Sequence, residues 1–194
     1  KVSSRYLFFI ILSPVGPYYP QGFNPVKIMV SDKYVRAVPG GVGYAKTGGN
    51  YAASILAEKE AKKLGYTQVL WLDAVERRFI EEVGAMNIFF VINDEIVTPQ
   101  LTGSILPGIT RMSVLELGKY WGLEVSERRI PIDEILAGLK DGSVTEVFGA
   151  GTAAVISPVG VLSYKEEEYY VGNGKTGTVA TRFYDHLTGI QYGK

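Results

Sequence analysis

The stretch Gly40-Gly41-Val42-Gly43-Tyr44-Ala45-Lys46-Thr47-Gly48-Gly49-Asn50-Tyr51 sets one lysine between two glycine clusters, directly ahead of a segment with helical spacing. Glycine gives up more conformational freedom on folding than any other residue, so a run this rich in it disfavours a helix or strand interior. It reads as a loop whose backbone takes conformations closed to other residues or approaches a neighbour closely. A lysine fixed in such a loop is a candidate Schiff-base amine, because burial lowers its pKa and frees its lone pair. The competing reading is a solvated loop charge, the commoner fate of a lysine beside glycine.

The glycine excess runs through the whole chain: 23 of 194 residues, about 12% against an average near 7%. They stand singly and in pairs between apolar runs, as turn and site glycines do, and no low-complexity tract absorbs them. The length suits one domain, with enough apolar content for a real core. Lysine plus arginine equals aspartate plus glutamate, 20 against 20. That balance lacks the basic footprint of a nucleic-acid binder, and no nucleic-acid partner is expected. The mixed charges of Glu58, Lys59, Glu60, Lys62 and Lys63 read as a solvated helix face. With no cysteine, disulfides, thiolate nucleophiles and Cys-based metal sites are excluded for this chain. The lone His186 cannot by itself build a His-rich metal site, so no metal is expected. The apolar run 6–12 is too short to span a bilayer and lacks the features of a signal peptide, so no membrane association is expected. The chain starts without Met and enters that run almost at once, which reads as a fragment or a chain with a preceding segment.

Periodicity gives the elements in outline. Residues 6–12 read as a buried strand stopped by Ser13-Pro14 and a loop rich in Pro, Gly and Tyr. Residues 26–30 read as a second strand. After the glycine loop, Asn50 is the expected N-cap of a helix running to about Leu64 and ended by Gly65. Residues 67–72 are β-branched and apolar, hence a strand. Residues 87–92 and 95–98 are expected to form a hairpin across Asn93-Asp94. Thr110 is the expected cap of a helix through Trp121, closed by Gly122. A strand at 125–130, a helix at 133–139, two extended segments flanking Gly149-Ala150-Gly151 and a helix over 176–187 complete the chain. Strands and helices alternate without a strict βαβ rhythm, which favours a mixed α/β (α+β) domain over a Rossmann sheet.

Three further segments bear on Lys46. In Glu81-Glu82-Val83-Gly84-Ala85-Met86-Asn87 a carboxylate heads an apolar strand; it is either a strand-end surface glutamate or a buried partner for a protonated ring nitrogen. Leu106-Pro107-Gly108-Ile109-Thr110-Arg111 is a Pro-Gly turn feeding a helix N-terminus, suited to a phosphate, although plain capping explains it too. Phe148-Gly149-Ala150-Gly151-Thr152-Ala153-Ala154 is either a tight turn or a set of N–H groups and a hydroxyl offered to phosphate or carboxylate. His186 is read as a helix-face histidine, Trp71 and Trp121 as core or near-core. Arg36 either orients the glycine loop or makes an ordinary salt bridge.

Together these segments resemble the branched-chain amino acid aminotransferases, of the class IV (fold type IV) pyridoxal-phosphate enzymes. The matching stretches are Arg36-Ala37-Val38-Pro39-Gly40-Gly41 through Tyr51, Gln68-Val69-Leu70-Trp71-Leu72, Glu82 to Asn87, Ile105 to Arg111, Phe148 to Pro158 and the ending Ile190-Gln191-Tyr192-Gly193. The resemblance implies that residues 1–194 are the large C-terminal domain of the D-amino acid aminotransferase-like fold, with the smaller N-terminal domain absent from this chain. It implies that Lys46 links covalently to pyridoxal 5′-phosphate and then carries the proton at the substrate α-carbon. By the same resemblance Glu82 holds the pyridine nitrogen, Tyr51 the phenolic oxygen and Leu106 the ring face. Ile109, Thr110 and Thr152 hold the phosphate, while Thr152 and Ala153 receive the substrate carboxylate.

The implied reaction is transamination of leucine, isoleucine or valine with 2-oxoglutarate, in amino-acid metabolism, by a cytoplasmic homodimer that needs its own N-terminal domain to complete the site. Ala154 and Ser157 stand where some family members carry a redox Cys-x-x-Cys pair, so no such switch operates. Two alternatives stay beside this reading. One is another class IV enzyme, a D-amino acid aminotransferase or aminodeoxychorismate lyase; the other is a truncated, non-catalytic cofactor-binding domain.

Overall fold

Val26, Ile28 and Val30 are buried on one face of a strand, Val26–Val30 (β1), in the computed structural model, which describes residues 2–14, 16, 18–20 and 22–194. β1 pairs in parallel with Gln68–Leu72 (β2). Parallel neighbours need a crossover, and the glycine loop with helices Gly48–Ala52 (α1) and Ile55–Lys63 (α2) provides it. β2 is buried along its whole length. Ala57 and Ala61 of α2 cover Val69 and Trp71 on one side, while Leu70 and Leu72 enter the main core on the other.

Ile80–Val83 (β3) and Met86–Ile92 (β4) fold back through Gly84-Ala85, with Glu82 opposite Asn87 and Val83 opposite Met86. Gly84 takes a left-handed φ of 56°, and its carbonyl accepts the Trp71 indole N–H at 2.9 Å. At the far end of β4, Asn93 and Asp94 both have positive φ, the geometry that matches strand twist in two-residue hairpins. They lead into Glu95–Pro99 (β5). Helix Ile109–Tyr120 (α3) carries the chain over to Val125–Arg128 (β6), parallel to β5. Ile132–Asp141 (α4) stops at the left-handed Gly142, and Val144–Gly151 (β7), Val155–Tyr164 (β8), Glu167–Tyr170 (β9) and Thr178–Gln191 (α5) follow.

The strand order β3-β2-β1-β8-β7-β4 closes on itself because β4 pairs back onto β3. β5 with β6, and β9, branch from this ring. Alternation along β4 sends Ile88 and Phe90 into one core and Phe89 and Val91 into another, where α3 and α5 pack with Phe148 and Phe183. The Glu146 carboxylate accepts the N–H groups of Val179 and Ala180 at 2.9 and 2.8 Å, capping the positive end of α5. Trp71 is fully buried; Trp121 is half-buried against Phe183, with His186 edge-on to its ring.

The mixed α/β expectation holds, and most elements lie where periodicity puts them. Several expectations do not hold. Residues 6–12 are no buried strand: every side chain from Tyr6 to Leu12 is exposed, and the segment pairs with none of the nine strands. A strand is stabilised by its neighbours, and the described sheet presents none to this run. Val15, Pro17 and Gln21 of the loop expected after Ser13-Pro14 lie outside the described residues, as does Lys1. The helix expected from Asn50 is broken in two, with Thr47 and Ser54 at the caps and Asn50 inside α1. Gly108, not Thr110, precedes α3 as its cap residue. Gly149-Ala150-Gly151 belongs to the end of β7, and the turn is at 152–154.

Candidate active site

Glu81 and Glu82 are adjacent on β3, so their side chains leave opposite faces of the strand. Glu82 points into a crevice bounded by Arg36, Asn50, Tyr51, Gly84 and Leu106. Its side chain is 5% exposed, and that of its partner Arg36 is 3%. One carboxylate oxygen, Oε1, accepts the Leu106 N–H at 3.0 Å and Asn87 Nδ2 at 3.1 Å. The other, Oε2, lies 2.8 Å from Arg36 Nη2. A carboxylate has about four acceptor positions, so three are taken and one on Oε2 remains for a further donor. Burial pushes the Glu82 carboxyl up to about 7, against the pull of Arg36, the Leu106 N–H and Lys46. Glu81 faces away and accepts the Ser104 hydroxyl. Burial raises its carboxyl too, and it lines a separate cavity of about 420 Å³ with Phe79, Thr102 and Arg129.

Lys46 sits in the glycine loop and is exposed, as the solvated-charge reading has it, without the burial that the Schiff-base reading invokes. Its Nζ lies 4.6 Å from the centre of the Tyr51 ring, and its charge acts on both Glu82 and Tyr18. Turns hold the loop: Gly41 N–H to Val38 O, Ala45 N–H to Val42 O and Thr47 N–H to Ala45 O. The buried Asn50 anchors it from below, donating to the carbonyls of Gly43 at 3.0 Å and Ala45 at 3.2 Å.

Gly43 is the most tightly enclosed glycine of this loop. An added Cβ would fall on the Ser104 carbonyl oxygen and 2.5 Å from Ala37 Cβ. Gly48 and Gly49 have open space at the same test. Gly43→Ala is therefore expected to cost about 3 kcal/mol of unfolding free energy, the upper range for overpacking against rigid atoms. Gly48→Ala, inside α1, is expected to be neutral or to stabilise by up to about 1 kcal/mol. Urea unfolding of the two variants checks both.

Leu106 is half-buried on the crevice wall. Asn87 Nδ2 also donates to the Leu106 carbonyl at 2.8 Å, which ties the 106–108 turn to β4. Ile109 and Thr110 form the first turn of α3; the first intrahelical bond runs from Met112 N–H to Gly108 O. The N–H groups of Ile109, Thr110 and Arg111 thus precede the helical ladder and lack a partner within it. The Arg111 guanidinium turns inward, to Pro99 O at 3.0 Å and Glu127 at 2.6 Å.

Thr152 and Ala153 are exposed in the turn between β7 and β8. They line a cavity of about 590 Å³ with Tyr18, Tyr19 and Phe23, not the crevice of Glu82. Register nonetheless puts them at the same end of the ring, because Ala150 of β7 pairs with Asn87 of β4. Tyr18 joins the two regions: it borders the larger cavity, and burial and Glu58 raise its hydroxyl pKa while Lys46 lowers it.

The arrangement therefore gathers Tyr51, Glu82 and Leu106 around one crevice, with the Lys46 amine over the Tyr51 ring, and sets Thr110 and Thr152 at neighbouring turns. The sequence reading gave no role to Asn87, Ser104 or Tyr18. Asn87 had a signal, a single amide inside Met86-Asn87-Ile88-Phe89-Phe90, where an unpaired polar group would be costly. Ser104 and Tyr18 had none.

The sequence pattern described as amino-transferase class IV matches residues 2–162. Branched-chain-amino-acid aminotransferase 2 of Bacillus subtilis (strain 168) is 59% identical over 191 residues, 98% of this chain and 53% of that protein. The crystal structure of the Escherichia coli branched-chain amino acid aminotransferase superposes with a TM-score of 0.79 at 34% identity, covering 92% of this chain and 55% of that one. The T.th. branched-chain amino acid aminotransferase, complexed with N-(5′-phosphopyridoxyl)-L-glutamate, gives 0.74 at 32% identity, covering 87% and 52%. The chain spans about half the length of the curated relatives it matches. Among the described residues no helix is long and apolar enough to cross a membrane. With the family pattern over most of its length and a fold that superposes on that of the Escherichia coli enzyme, the chain belongs to the amino-transferase class IV family.

Proposed function

We propose that this chain is the cofactor-binding part of a pyridoxal 5′-phosphate-dependent transaminase that moves the amino group of leucine, isoleucine or valine to 2-oxoglutarate. The single observation that carries the cofactor is Glu82: a buried carboxylate with one acceptor position free, in a crevice bordered by the ring of Tyr51, over which the Lys46 amine lies. The free acceptor complements a ring nitrogen carrying a proton. The choice of branched substrates rests on the relatives, which are named for them.

When bound, the cofactor supplies a ring that draws electrons away from the substrate α-carbon. Glu82, as a carboxylate, keeps the proton on the ring nitrogen. Lys46 would be the covalent anchor of the cofactor and the base that moves the proton at the substrate α-carbon. Its exposed position leaves it free to make that movement. The Tyr51 hydroxyl holds the phenolic oxygen, and Leu106 covers a ring face. The free N–H groups at Ile109 and Thr110, with the Thr110 hydroxyl and Thr152, hold the phosphate at the positive end of α3. Thr152 and Ala153 offer N–H groups to the substrate carboxylate beside the larger cavity. In this reading a further domain of the polypeptide and a second copy in a cytoplasmic homodimer would complete the site, as the relatives' greater length allows for the first.

The test is glutamate production by the full-length protein from 2-oxoglutarate. L-leucine, L-isoleucine and L-valine are expected to serve as donors and D-alanine to fail. Turnover with D-alanine alone, or release of pyruvate from aminodeoxychorismate, would overturn the substrate assignment in favour of another class IV activity.

A further inference from the structure

Arg36 is the buried cation of the crevice, and its contacts reach three separate segments. Its Nη2 lies 2.8 Å from Glu82 on β3 and donates to the Ser104 carbonyl at 2.7 Å, two residues before Leu106. Its Nη1 donates to Asn50 Oδ1. Asn50 in turn holds the carbonyls of Gly43 and Ala45, immediately before Lys46. A continuous chain of side-chain contacts therefore runs from Glu82 through Arg36 and Asn50 to the backbone that carries Lys46.

We propose that Arg36 is a positioning residue that couples the two ends of the site, holding Glu82 as a carboxylate and, through Asn50, fixing the loop that presents Lys46. The proposal rests on the transaminase reading and adds a role to a residue that touches neither cofactor nor substrate in it.

Stability alone does not account for the arrangement. Removing two charges from water costs more than their attraction returns in many buried pairs, and an apolar pair of similar size is often the more stable choice. The Glu82 carboxyl, raised by burial even beside Arg36, shows that cost. A lysine could supply the charge but not the planar fork that reaches Glu82, Ser104 and Asn50 together. The other charged groups acting on Glu82 are Glu81, from the same strand, and Lys46, from the loop. Glu81 opposes ionisation, and Lys46 is exposed, so the buried charge of Arg36 is the one the carboxylate depends on.

Two readouts separate the arms. The first is the carboxyl ¹³C titration of Glu82 in the cofactor-free protein, assigned against Glu82→Gln. The second is the rate at which pyridoxal phosphate is fixed at Lys46 by borohydride. Arg36→Met is expected to raise the Glu82 midpoint by about one unit or more, the usual effect of losing an adjacent opposite charge. It is also expected to slow labelling about tenfold or more, as loss of a supporting contact around a reactive group does. Asn50→Ala is expected to slow labelling similarly and leave the Glu82 midpoint in place. Should Arg36→Met fail to fold, Arg36→Lys carries the first role, keeping the midpoint while labelling slows as in Asn50→Ala. An unmoved Glu82 midpoint in Arg36→Met, or unchanged labelling in both variants, overturns the coupling and leaves the transaminase reading standing. No labelling of Lys46 in the unaltered protein overturns both.

Discussion

Lys46→Ala is expected to abolish covalent capture of pyridoxal phosphate and to lower transamination by the full-length protein by about 10⁴-fold or more, since in the proposed function one amine is both the nucleophile and the proton carrier. The same change is expected to leave stability almost untouched. Lys46 is exposed, and its recorded side-chain contact is with the Tyr51 ring at 4.6 Å, an arrangement worth roughly 0.5–1 kcal/mol at an exposed site. Loss of function with an intact unfolding curve distinguishes a reacting group from a structural one. Gly43→Ala is the contrast, because it disturbs the same loop by displacing backbone and must lower stability. Peptide mapping after borohydride reduction checks the assignment. Other lysines are occupied on the surface: Lys27 with Glu168, Lys33 with Glu60, Lys119 with Glu116 and Lys140 with Glu167. Labelling scattered over such residues, with Lys46→Ala labelled as well as the parent, would remove Lys46 from the site.

What the sequence made legible follows from how local each signal is. β2, the β4–β5 hairpin and α5 are written in apolar periodicity and turn residues, so they lie within a few residues of expectation. The run 6–12 carries an equally strong strand signal, yet pairing depends on a neighbour that the run itself does not encode. Asn50 shows the same limit from the other side. It stands where a cap belongs, but Arg36, fourteen residues earlier, offers a buried charge and two loop carbonyls lie above it. Its side chain therefore serves the loop and Thr47 takes the cap position. Glu82 was a possible surface residue until the Gly84-Ala85 turn put it opposite Asn87 and under Leu106. The ring closure that unites β3 with β4 and β7 is a long-range fact, and with it the neighbourhood of Glu82, the 106–110 turn and the 152–154 turn.

Glu82→Gln is expected to make the cofactor-free protein more stable at pH 8 while it impairs catalysis. An unfolded glutamate titrates near 4.5, and burial holds the Glu82 carboxyl in the folded protein up to about 7. The folded state therefore binds this proton more tightly than the unfolded state does. As pH rises from about 4.5 to about 7, the unfolded chain gives up its proton first, so stability falls through that window and levels off above it. The whole loss amounts to about 3 kcal/mol, at about 1.36 kcal/mol per pH unit. Glutamine has nearly the shape of the protonated acid, keeps an acceptor for the Leu106 N–H and cannot ionise. At pH 4 the variant should therefore match the parent, and at pH 8 it should exceed it by about 3 kcal/mol. Taking the difference between the two proteins cancels the titration of other groups, such as Glu81 and Asp73, whose slopes are opposite in sign. Activity should move the other way, falling by about 10²-fold or more as an electrostatic contact to the reacting group is lost. If Arg36 dominated the energetics, the variant would strand a buried cation and lose stability at pH 8. Denaturant unfolding of both proteins at pH 4 and pH 8 decides between these balances. Stabilisation at the higher pH would mean that the fold carries this carboxylate at its own expense, which is the signature of a group kept for chemistry.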